Sequence, residues 1–318
     1  MTIKLPKKGL KVAHLNICSL KNKVIELSKI MLENDLHIVA ISETHLDDSI
    51  DNTEVYIQGY NIIRLDRNRY GGGVAFYVQD HIPIKRRGDL DLPDIEAIWI
   101  QVHLPHLKPL LVCCCYRPPT SDAAYLEKIC TMLQNVSDKN SEMYFVGDLN
   151  IDWLSKNCPM KRKLKDTATV CNLVQMINLP TRINMNNLGV LSSTCIDHLF
   201  TNSEDKCSKV VSVPIGFSDH NMIAMARKVK VPKVGPKIIY KRLYKNFCDN
   251  AFIEDLHNIQ WDVVFKSTST EAALHEFMKL FSSVCDKHAP IKKLTVRSVK
   301  APWLDSDLRS LMKERDEM

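Results

Sequence analysis

Six short apolar segments in the N-terminal half of the chain have the character of buried β-strands. Each is rich in β-branched or aromatic residues and is shorter than a typical helix. The segments are residues 12–16, 37–43, 73–78, 97–102, 110–116 and 143–148. The turn sequences Tyr70–Gly73 and His103–His106 join neighbouring segments, so they predict antiparallel pairing.

Other segments place apolar residues three and four positions apart, which predicts amphipathic helices. Ser19 can cap the first of these helices, which ends near Asn34, because serine is a favoured N-cap residue. Residues 123–136 and 163–177 have similar spacing. Such helices must cover the faces of a sheet. The pattern therefore predicts two packed sheets with helices outside them.

Both periodicities are lost near residue 230. Residues 229–237 alternate Val, Pro, Gly and Lys, a composition typical of linkers. Helical spacing returns in residues 247–259, 270–285 and 302–318. We therefore predict a domain over residues 8–228, a linker over residues 229–245 and a helical segment over residues 246–318.

Composition narrows the class of protein. With 318 residues and 45% hydrophobic content, the chain can bury a sizeable core, while its apolar runs are far shorter than the roughly 18 residues of a membrane span. The formal net charge of +6 is compatible with a polyanionic partner. Eleven cysteines without a C-x-x-C pair predict reduced thiols rather than a disulfide framework. No secretory signal is visible, so we expect an intracellular protein without a membrane partner.

Polar side chains of the types that take part in catalysis or metal binding follow several of the predicted strands directly. They are Asn16, Glu43, Tyr116, Asp148 and Asn150. Strand ends in layered α/β proteins converge on one crevice, so these side chains are expected to meet. Two later segments, CIDHLFTN and FSDHN, add Asp197 and the run Ser218, Asp219 and His220.

This inventory suits a hard divalent cation such as magnesium, and it contains the types of group that phosphodiester hydrolysis needs. It lacks a glycine-rich phosphate loop, a Gly-x-Ser-x-Gly elbow and a soft metal-ligand set, while hard oxygen ligands suit Mg²⁺. Hydrolysis needs a base near the attacking water and donors around the phosphate oxygens. Asp148 can act as the base, and His220 can be kept protonated by Asp197. The opposite assignment, with His220 as the base, remains open from the sequence.

Six motifs carry a family resemblance. In chain order they are LNICSL, ISETHL, YRPP, GDLN, CIDHLFTN and FSDHN. Each is short enough to recur by chance, but the ordered set resembles the endonuclease/exonuclease/phosphatase superfamily over residues 10–228. It is most similar to the apurinic-type endonuclease of LINE-like (non-LTR) retrotransposons. The later sequence PWLDSDLRSLMKERD is similar to the segment that follows that endonuclease, whereas no reverse transcriptase motif is present.

The resemblance implies an α/β fold, a four-layer sandwich of two mixed β-sheets flanked by helices (DNase I-like), with a mostly helical C-terminal extension. It implies Mg²⁺, with Mn²⁺ as a substitute, held by Glu43 together with Asn16 and Asp219. The implied catalytic residues are Asp148, His220, Asn150, Tyr116 and Asp197. The substrate-binding candidates are Ser218, Thr181, Arg117, Arg67, Arg69 and Tyr70, the last three in a basic turn that is either simply solvated or suited to phosphate contacts.

One position departs from the superfamily pattern. Many members carry Asp or Asn two residues after the first asparagine, and this chain has Cys18 there. Because magnesium prefers hard oxygen ligands, a thiol is a poor replacement.

The sequence thus predicts a magnesium-dependent DNA endonuclease that nicks one strand and leaves a 3′-hydroxyl and a 5′-phosphate. The expected partner is DNA, with a reverse transcriptase or element RNA supplied separately and no small organic cofactor. The expected sites are the cytoplasm for synthesis and the nucleus for action. Two alternatives are a superfamily phosphatase that acts on a small phosphoester and a catalytically inert, DNA-binding relic of a retroelement.

Overall fold

A computed structural model describes residues 3–137, 141–185, 191–232 and 237–296. The chain divides into two compact units, Met1–Lys233 and Val234–Met318. The strands of the first unit are β1 (Leu10–Asn16), β2 (Ile38–Ser42), β3 (Tyr60–Leu65), β4 (Val74–Gln79), β5 (Ile84–Arg86), β6 (Glu96–Val102), β7 (Leu110–Tyr116), β8 (Met143–Asp148), β9 (Val174–Gln175), β10 (Arg182–Met185), β11 (Leu191–Thr194), β12 (Asp197–Thr201), β13 (Val211–Val213) and β14 (Met222–Arg227). Its helices are α1 (Val24–Glu33), α2 (Ala123–Ser137) and α3 (Pro159–Val170).

Two six-stranded sheets form the centre of the first unit, in the orders β13-β14-β1-β2-β4-β3 and β5-β6-β7-β8-β12-β9. Each is mixed, because β1 pairs with β2 and β7 with β8 in parallel while the other pairs are antiparallel. β10 and β11 form a separate two-stranded ribbon. The predicted fold class, a four-layer DNase I-like sandwich, is confirmed.

Apolar side chains fill the three spaces between the four layers of this sandwich. Val12 of β1 and Val112 of β7 lie in the core between the sheets. Leu27 of α1 belongs to the core on the outer side of the first sheet, and Leu133 of α2 belongs to the core on the outer side of the second. Residues of a strand alternate between its two faces. Accordingly Cys114 points between the sheets while its neighbours point toward the helices, and all the described cysteines are free thiols.

Two helices differ from their predictions. Ser19 does not cap α1, because the helix begins at Val24 with Lys23 in the cap position, and Ser19, with a left-handed φ of 79°, lies in the preceding loop. A short 3₁₀ turn, Lys21–Lys23, leads into the helix. The helix predicted over residues 163–177 begins earlier, at Pro159, and ends at Val170, because Pro is favoured in the first helical turn.

The second unit contains β15 (Lys237–Arg242), α4 (Asp249–His257), α5 (Asp262–Phe265), α6 (Thr270–His288) and β16 (Ile291–Val296). β15 pairs with β16 in antiparallel register, so part of the segment predicted as a linker is a strand. The helix predicted over residues 302–318 lies outside the described residues. Among those residues, no helix is both long and apolar enough to cross a bilayer.

Candidate active site

The predicted site residues lie at the ends of strands in the two sheets. Asn16 ends β1, Glu43 follows β2, and Tyr116 and Asp148 end β7 and β8. Because β1 and β2 are parallel, as are β7 and β8, their carboxyl ends point the same way. β12 runs antiparallel to β8 and pairs its first residue, Asp197, with Asp148. The prediction that these scattered side chains meet is therefore confirmed for this group.

A buried amide holds two carboxylates together. The Asn16 side chain is 1% exposed, and its Nδ2 donates to Glu43 Oε1 at 2.9 Å and to Asp148 Oδ2 at 2.8 Å. Its Oδ1 accepts the backbone N–H of Cys18 at 3.1 Å, which fixes the orientation of the amide. Asn16 thus links one carboxylate from each sheet.

An imidazole lies between Asp148 and a third acid, Asp197. His220 Nδ1 is 2.9 Å from Asp197 Oδ2, and its Nε2 is 4.0 Å from Asp148 Oδ2. Ser218 holds this loop, because its hydroxyl donates to the Asn16 carbonyl at 2.7 Å and accepts the His220 backbone N–H at 3.1 Å. These five residues therefore belong to one connected network.

The charges in this network are strongly coupled. Burial opposes the charge on His220, but the Asp197 carboxylate overrides it and raises the pKa of His220 to about 9. Burial acts against the ionised form of Asp197 as well, yet the adjacent His220 lowers its pKa. Burial and the negative charge of Asp197 raise the pKa of Asp148 to about 7. The site therefore pairs an imidazolium with one firmly ionised acid and one acid that titrates near neutrality.

Two residues of the GDLN motif, Gly147 and Asn150, have a structural reason that concerns the third, Asp148. A Cβ on Gly147 would lie 1.8 Å from the carbonyl oxygen of Cys115, so only glycine permits the close pairing of β7 and β8. The Asn150 backbone N–H donates to Asp148 Oδ1 at 2.9 Å, and its side-chain amide donates to the Arg117 carbonyl at 2.9 Å. Gly147 and Asn150 therefore fix the position of the Asp148 carboxylate.

Tyr116 lies against the same group of acids. Burial and the neighbouring Glu43 carboxylate raise the pKa of the Tyr116 hydroxyl well above its ordinary value, so the phenol stays protonated and able to donate. The guanidinium of Arg67 lies 5.9 Å from the centre of the Tyr116 ring and forms a 2.8 Å ion pair with Glu96. Arg67 is thus held beside the site by its neighbours.

Two predicted substrate-binding residues have structural contacts instead. The Arg117 side chain is 1% exposed and donates to the carbonyls of Leu149 and Ser121 at 3.3 and 2.6 Å, so its guanidinium is directed into the protein. The Thr181 hydroxyl is fully buried and accepts the backbone N–H groups of Ile196 and Asp197. Thr181 therefore positions Asp197, and neither side chain is available to a substrate.

Three other predicted residues lie toward solvent. Asp219 forms a 2.7 Å ion pair with Arg182, so its charge is already balanced by a cation. Arg69 pairs with Asp47 at 2.8 Å with more than half of its side chain exposed. Tyr70 is 94% exposed, which leaves its ring free to contact a partner.

Sequence reasoning missed two histidines of the site. His14 is fully buried, its Nε2 is 3.0 Å from Ser42 Oγ, and its Nδ1 is 3.5 Å from Asp197 Oδ1. Its position two residues before Asn16 in β1 is the signal that could have found it, because residues i and i+2 share a strand face. His45 Nε2 lies 3.4 Å from Glu43 Oε2.

The oxygen-rich donor set fits a hard divalent cation. Glu43 and Asp148 are joined through Asn16, and Asp148 and Asp197 have carboxylate oxygens within 4.8 Å of each other, whereas the protonated His220 has no lone pair for a cation. Asp197 Oδ1 has no hydrogen-bond partner although it is buried. Mg²⁺ commonly binds one or two carboxylates and keeps several waters, and the Glu43 side chain is 21% exposed, so solvent reaches it.

Comparison with known proteins agrees with this geometry. Residues 13–220 match the model of the Endonuclease/Exonuclease/phosphatase family, and this range contains the site residues from Asn16 to His220. The chain belongs to this family. No curated protein matches it closely enough to count as a relative.

Solved structures of the family share the fold at low identity. The endonuclease domain of TRAS1, a telomere-specific non-LTR retrotransposon, has a TM-score of 0.58 and 17% identity over 69% of this chain and 98% of that domain. The 3′ phosphatase NExo from Neisseria, bound to a product DNA hairpin, has a TM-score of 0.54 and 13% identity over 69% and 99% of the two chains. A mannosyl-6-phosphatase from Bacteroides thetaiotaomicron has a TM-score of 0.50 and 14% identity over 68% and 98%. Nucleases and phosphatases therefore share this architecture.

Proposed function

We propose that this chain is a metal-dependent DNA endonuclease that hydrolyses a phosphodiester bond in one strand and leaves a 3′-hydroxyl and a 5′-phosphate. The observation that carries the proposal is the position of His220 between Asp197 and Asp148, with Nδ1 2.9 Å from Asp197 Oδ2 and Nε2 4.0 Å from Asp148 Oδ2. A protonated imidazole beside a titrating carboxylate supplies both a positive group and a base to one phosphate.

Each side chain then has a role in the reaction. Asp148 orients the attacking water and removes its proton, because its carboxylate titrates near neutrality and general bases work best near the working pH. His220, held charged by Asp197, stabilises the negative charge that develops on the phosphate oxygens. Tyr116 and Asn150 are the neutral groups placed to donate to the same oxygens.

A divalent cation belongs beside Glu43, where Asn16 aligns that carboxylate with Asp148. When bound, Mg²⁺ supplies positive charge to the phosphate and the leaving oxygen. The Asn16 amide keeps the two carboxylates from separating under mutual repulsion, so the metal position and the base are set by one side chain.

A DNA substrate is favoured by the basic turn beside the site. Arg67 lies next to Tyr116, and Arg69 and the almost fully exposed Tyr70 follow it in the same turn. Lysine and arginine contacts to phosphates supply most of the sequence-independent affinity for duplex DNA, and an exposed aromatic ring can stack on a base. We therefore assign this turn to the DNA backbone and a neighbouring base.

The expected partners follow from the similarity to the retrotransposon endonuclease. The 3′-hydroxyl left by such a nick is a primer for reverse transcription, so a reverse transcriptase and element RNA are the expected partners. Action on chromosomal DNA places the reaction in the nucleus.

The test is nicking of supercoiled plasmid by the purified chain with Mg²⁺ or with EDTA. Asp148→Asn and His220→Gln are each expected to lower the rate at least 100-fold, within the usual range of about 10²–10⁴ for general acid–base groups. His275→Ala is the matched control, because His275 is an exposed histidine of α6. Activity on small phosphoesters without nicking would favour a phosphatase, and DNA binding without any hydrolysis would favour an inert relic.

A further inference from the structure

Three metal-binding side chains from two loops meet beside the proposed magnesium position. The Sγ of Cys18, a carboxylate oxygen of Glu43 and a ring nitrogen of His45 all lie within 4.8 Å of one another. Of these three residues only Glu43 was predicted to bind a metal. The Cys18 thiol and the His45 imidazole have no role in the proposed mechanism. The three side chains are at least partly exposed, so the group is open to solvent.

Backbone hydrogen bonds hold the two loops together. The N–H of Ser19 donates to the Glu43 carbonyl at 2.9 Å, and the N–H of Leu20 donates to the Thr44 carbonyl at 2.9 Å. The N–H of His45 donates to the Gly72 carbonyl at 3.0 Å. The loops therefore keep the three side chains together before any cation binds.

All three residues also have left-handed backbone conformations. Their φ angles are 47° for Cys18, 52° for Glu43 and 51° for His45. Such angles are uncommon for residues other than glycine, and they collect at functional sites where the surrounding structure imposes them. Here they turn three ligand-type side chains toward one point.

We propose that Cys18, Glu43 and His45 form a binding site for a borderline-soft divalent cation of the Zn²⁺ class. This site overlaps the proposed magnesium position, because both include Glu43. Zn²⁺ takes thiolate, imidazole and carboxylate ligands in tetrahedral geometry, with one position left for water in a three-ligand site. Bonds of about 2.0–2.1 Å place neighbouring nitrogen and oxygen ligands about 3.4 Å apart in a tetrahedron. Glu43 Oε2 and His45 Nε2 are separated by 3.4 Å.

Cys18 then favours the binding of one cation and disfavours that of another. A thiol adds little to magnesium binding, but it raises the affinity for softer cations that bind sulfur. Binding replaces the thiol proton, which passes to solvent. Because both cations use Glu43, Zn²⁺ excludes Mg²⁺ and is expected to inhibit nicking. This last consequence rests on the proposed function, whereas the binding itself does not.

The test uses Co²⁺ as a spectroscopic substitute for Zn²⁺ on the full chain. Co²⁺ is expected to give a near-ultraviolet thiolate charge-transfer band and intense visible bands of a tetrahedral site. The charge-transfer band should vanish in Cys18→Ser and persist in Cys248→Ser, the matched control, because Cys248 is the other exposed cysteine among the described residues. Glu43→Gln and His45→Ala should weaken Zn²⁺ binding, measured against a chromophoric chelator, by at least about 10-fold.

Two results would overturn the proposal. One is the absence of a thiolate band in the wild-type chain, and the other is a band of equal intensity in Cys18→Ser. Circular dichroism checks that each variant is folded. A chain that binds Co²⁺ through Cys18 but never nicks DNA would support this site while refuting the proposed endonuclease, so the two failures are distinguishable.

Discussion

Replacing Asp197 with asparagine tests how the protein keeps His220 charged. The Asp197 carboxylate lies 2.9 Å from His220 Nδ1, and both side chains are almost completely buried. The substitution removes the negative charge with little change of shape. Burial, which lowers the pKa of His220, is then opposed only by the weaker effects of Asp148 and Asp219.

The expected magnitude follows from the pKa of His220. Its value of about 9, compared with an ordinary value of 6.5, keeps the imidazole about 90% protonated at pH 8. A fall to about 6.5 leaves roughly 3% protonated at pH 8 and about three quarters at pH 6. The loss of nicking rate is therefore expected to be about 30-fold at pH 8 and below about 2-fold at pH 6.

The assay is the single-turnover nicking rate of Asp197→Asn relative to wild type at pH 6, 7 and 8 with saturating Mg²⁺. Loss of the Asp197 charge also removes one of the causes that raise the pKa of Asp148. More of the Asp148 carboxylate is then ionised at low pH, which raises the rate of the variant relative to wild type there. Asp205→Asn, an exposed acid of the same unit, controls for the change of net charge.

The pH dependence separates this account from simple misfolding. A misfolded fraction would lower the rate by the same factor at every pH at which the variant stays equally folded. A deficit that is constant from pH 6 to pH 8, or that grows toward pH 6, would refute the assignment of His220 as an imidazolium kept charged by Asp197.

Three further predictions concern other parts of the first unit. Gly147→Ala is expected to prevent normal folding, because the new Cβ would lie 1.8 Å from the Cys115 carbonyl oxygen; a native circular dichroism spectrum and melting temperature would contradict it. The ion pair with Arg227 outweighs burial and holds the pKa of Glu142 at about 2 instead of 4.5, so Glu142→Gln should lower the free energy of unfolding by up to about 3 kcal/mol at pH 7. That stabilisation is present above pH 4.5 and lost as the pH falls toward 2, and equal denaturant midpoints of the two proteins at pH 7 would exclude it. Tyr70→Ala should leave stability within about 0.5 kcal/mol but raise KM for DNA about 10-fold, from stacking worth about 1–3 kcal/mol; an unchanged KM would remove Tyr70 from the DNA contact.

The sequence was most informative where a strand ends in a polar residue. Asn16 and Asp148 could be grouped from the sequence alone, because strand periodicity shows where each strand stops and parallel ends share an edge. The contact between them confirms that reasoning. Asp197 does not follow from this rule, because it begins β12, which runs antiparallel to β8.

Side-chain direction after the strand end was much harder to predict. Arg117 and Thr181 lie close in sequence to motif residues, but one points inward to backbone carbonyls and the other supports the start of β12. Their directions depend on loop conformations and on long-range partners. For the same reason the sequence did not show that Cys18 lies near Glu43, since pairing of two loops by backbone hydrogen bonds leaves no periodic signal.

The most direct test of the proposed endonuclease is the chemistry of the nick itself. Supercoiled plasmid is nicked by the chain with Mg²⁺, freed of protein, and incubated with a DNA ligase without any end repair. Hydrolysis with Asp148 as the base and a 3′-oxygen leaving group predicts resealing to closed circles, because ligation requires a 3′-hydroxyl beside a 5′-phosphate. Nicks that seal only after end repair, or a plasmid that is never nicked, would contradict the account.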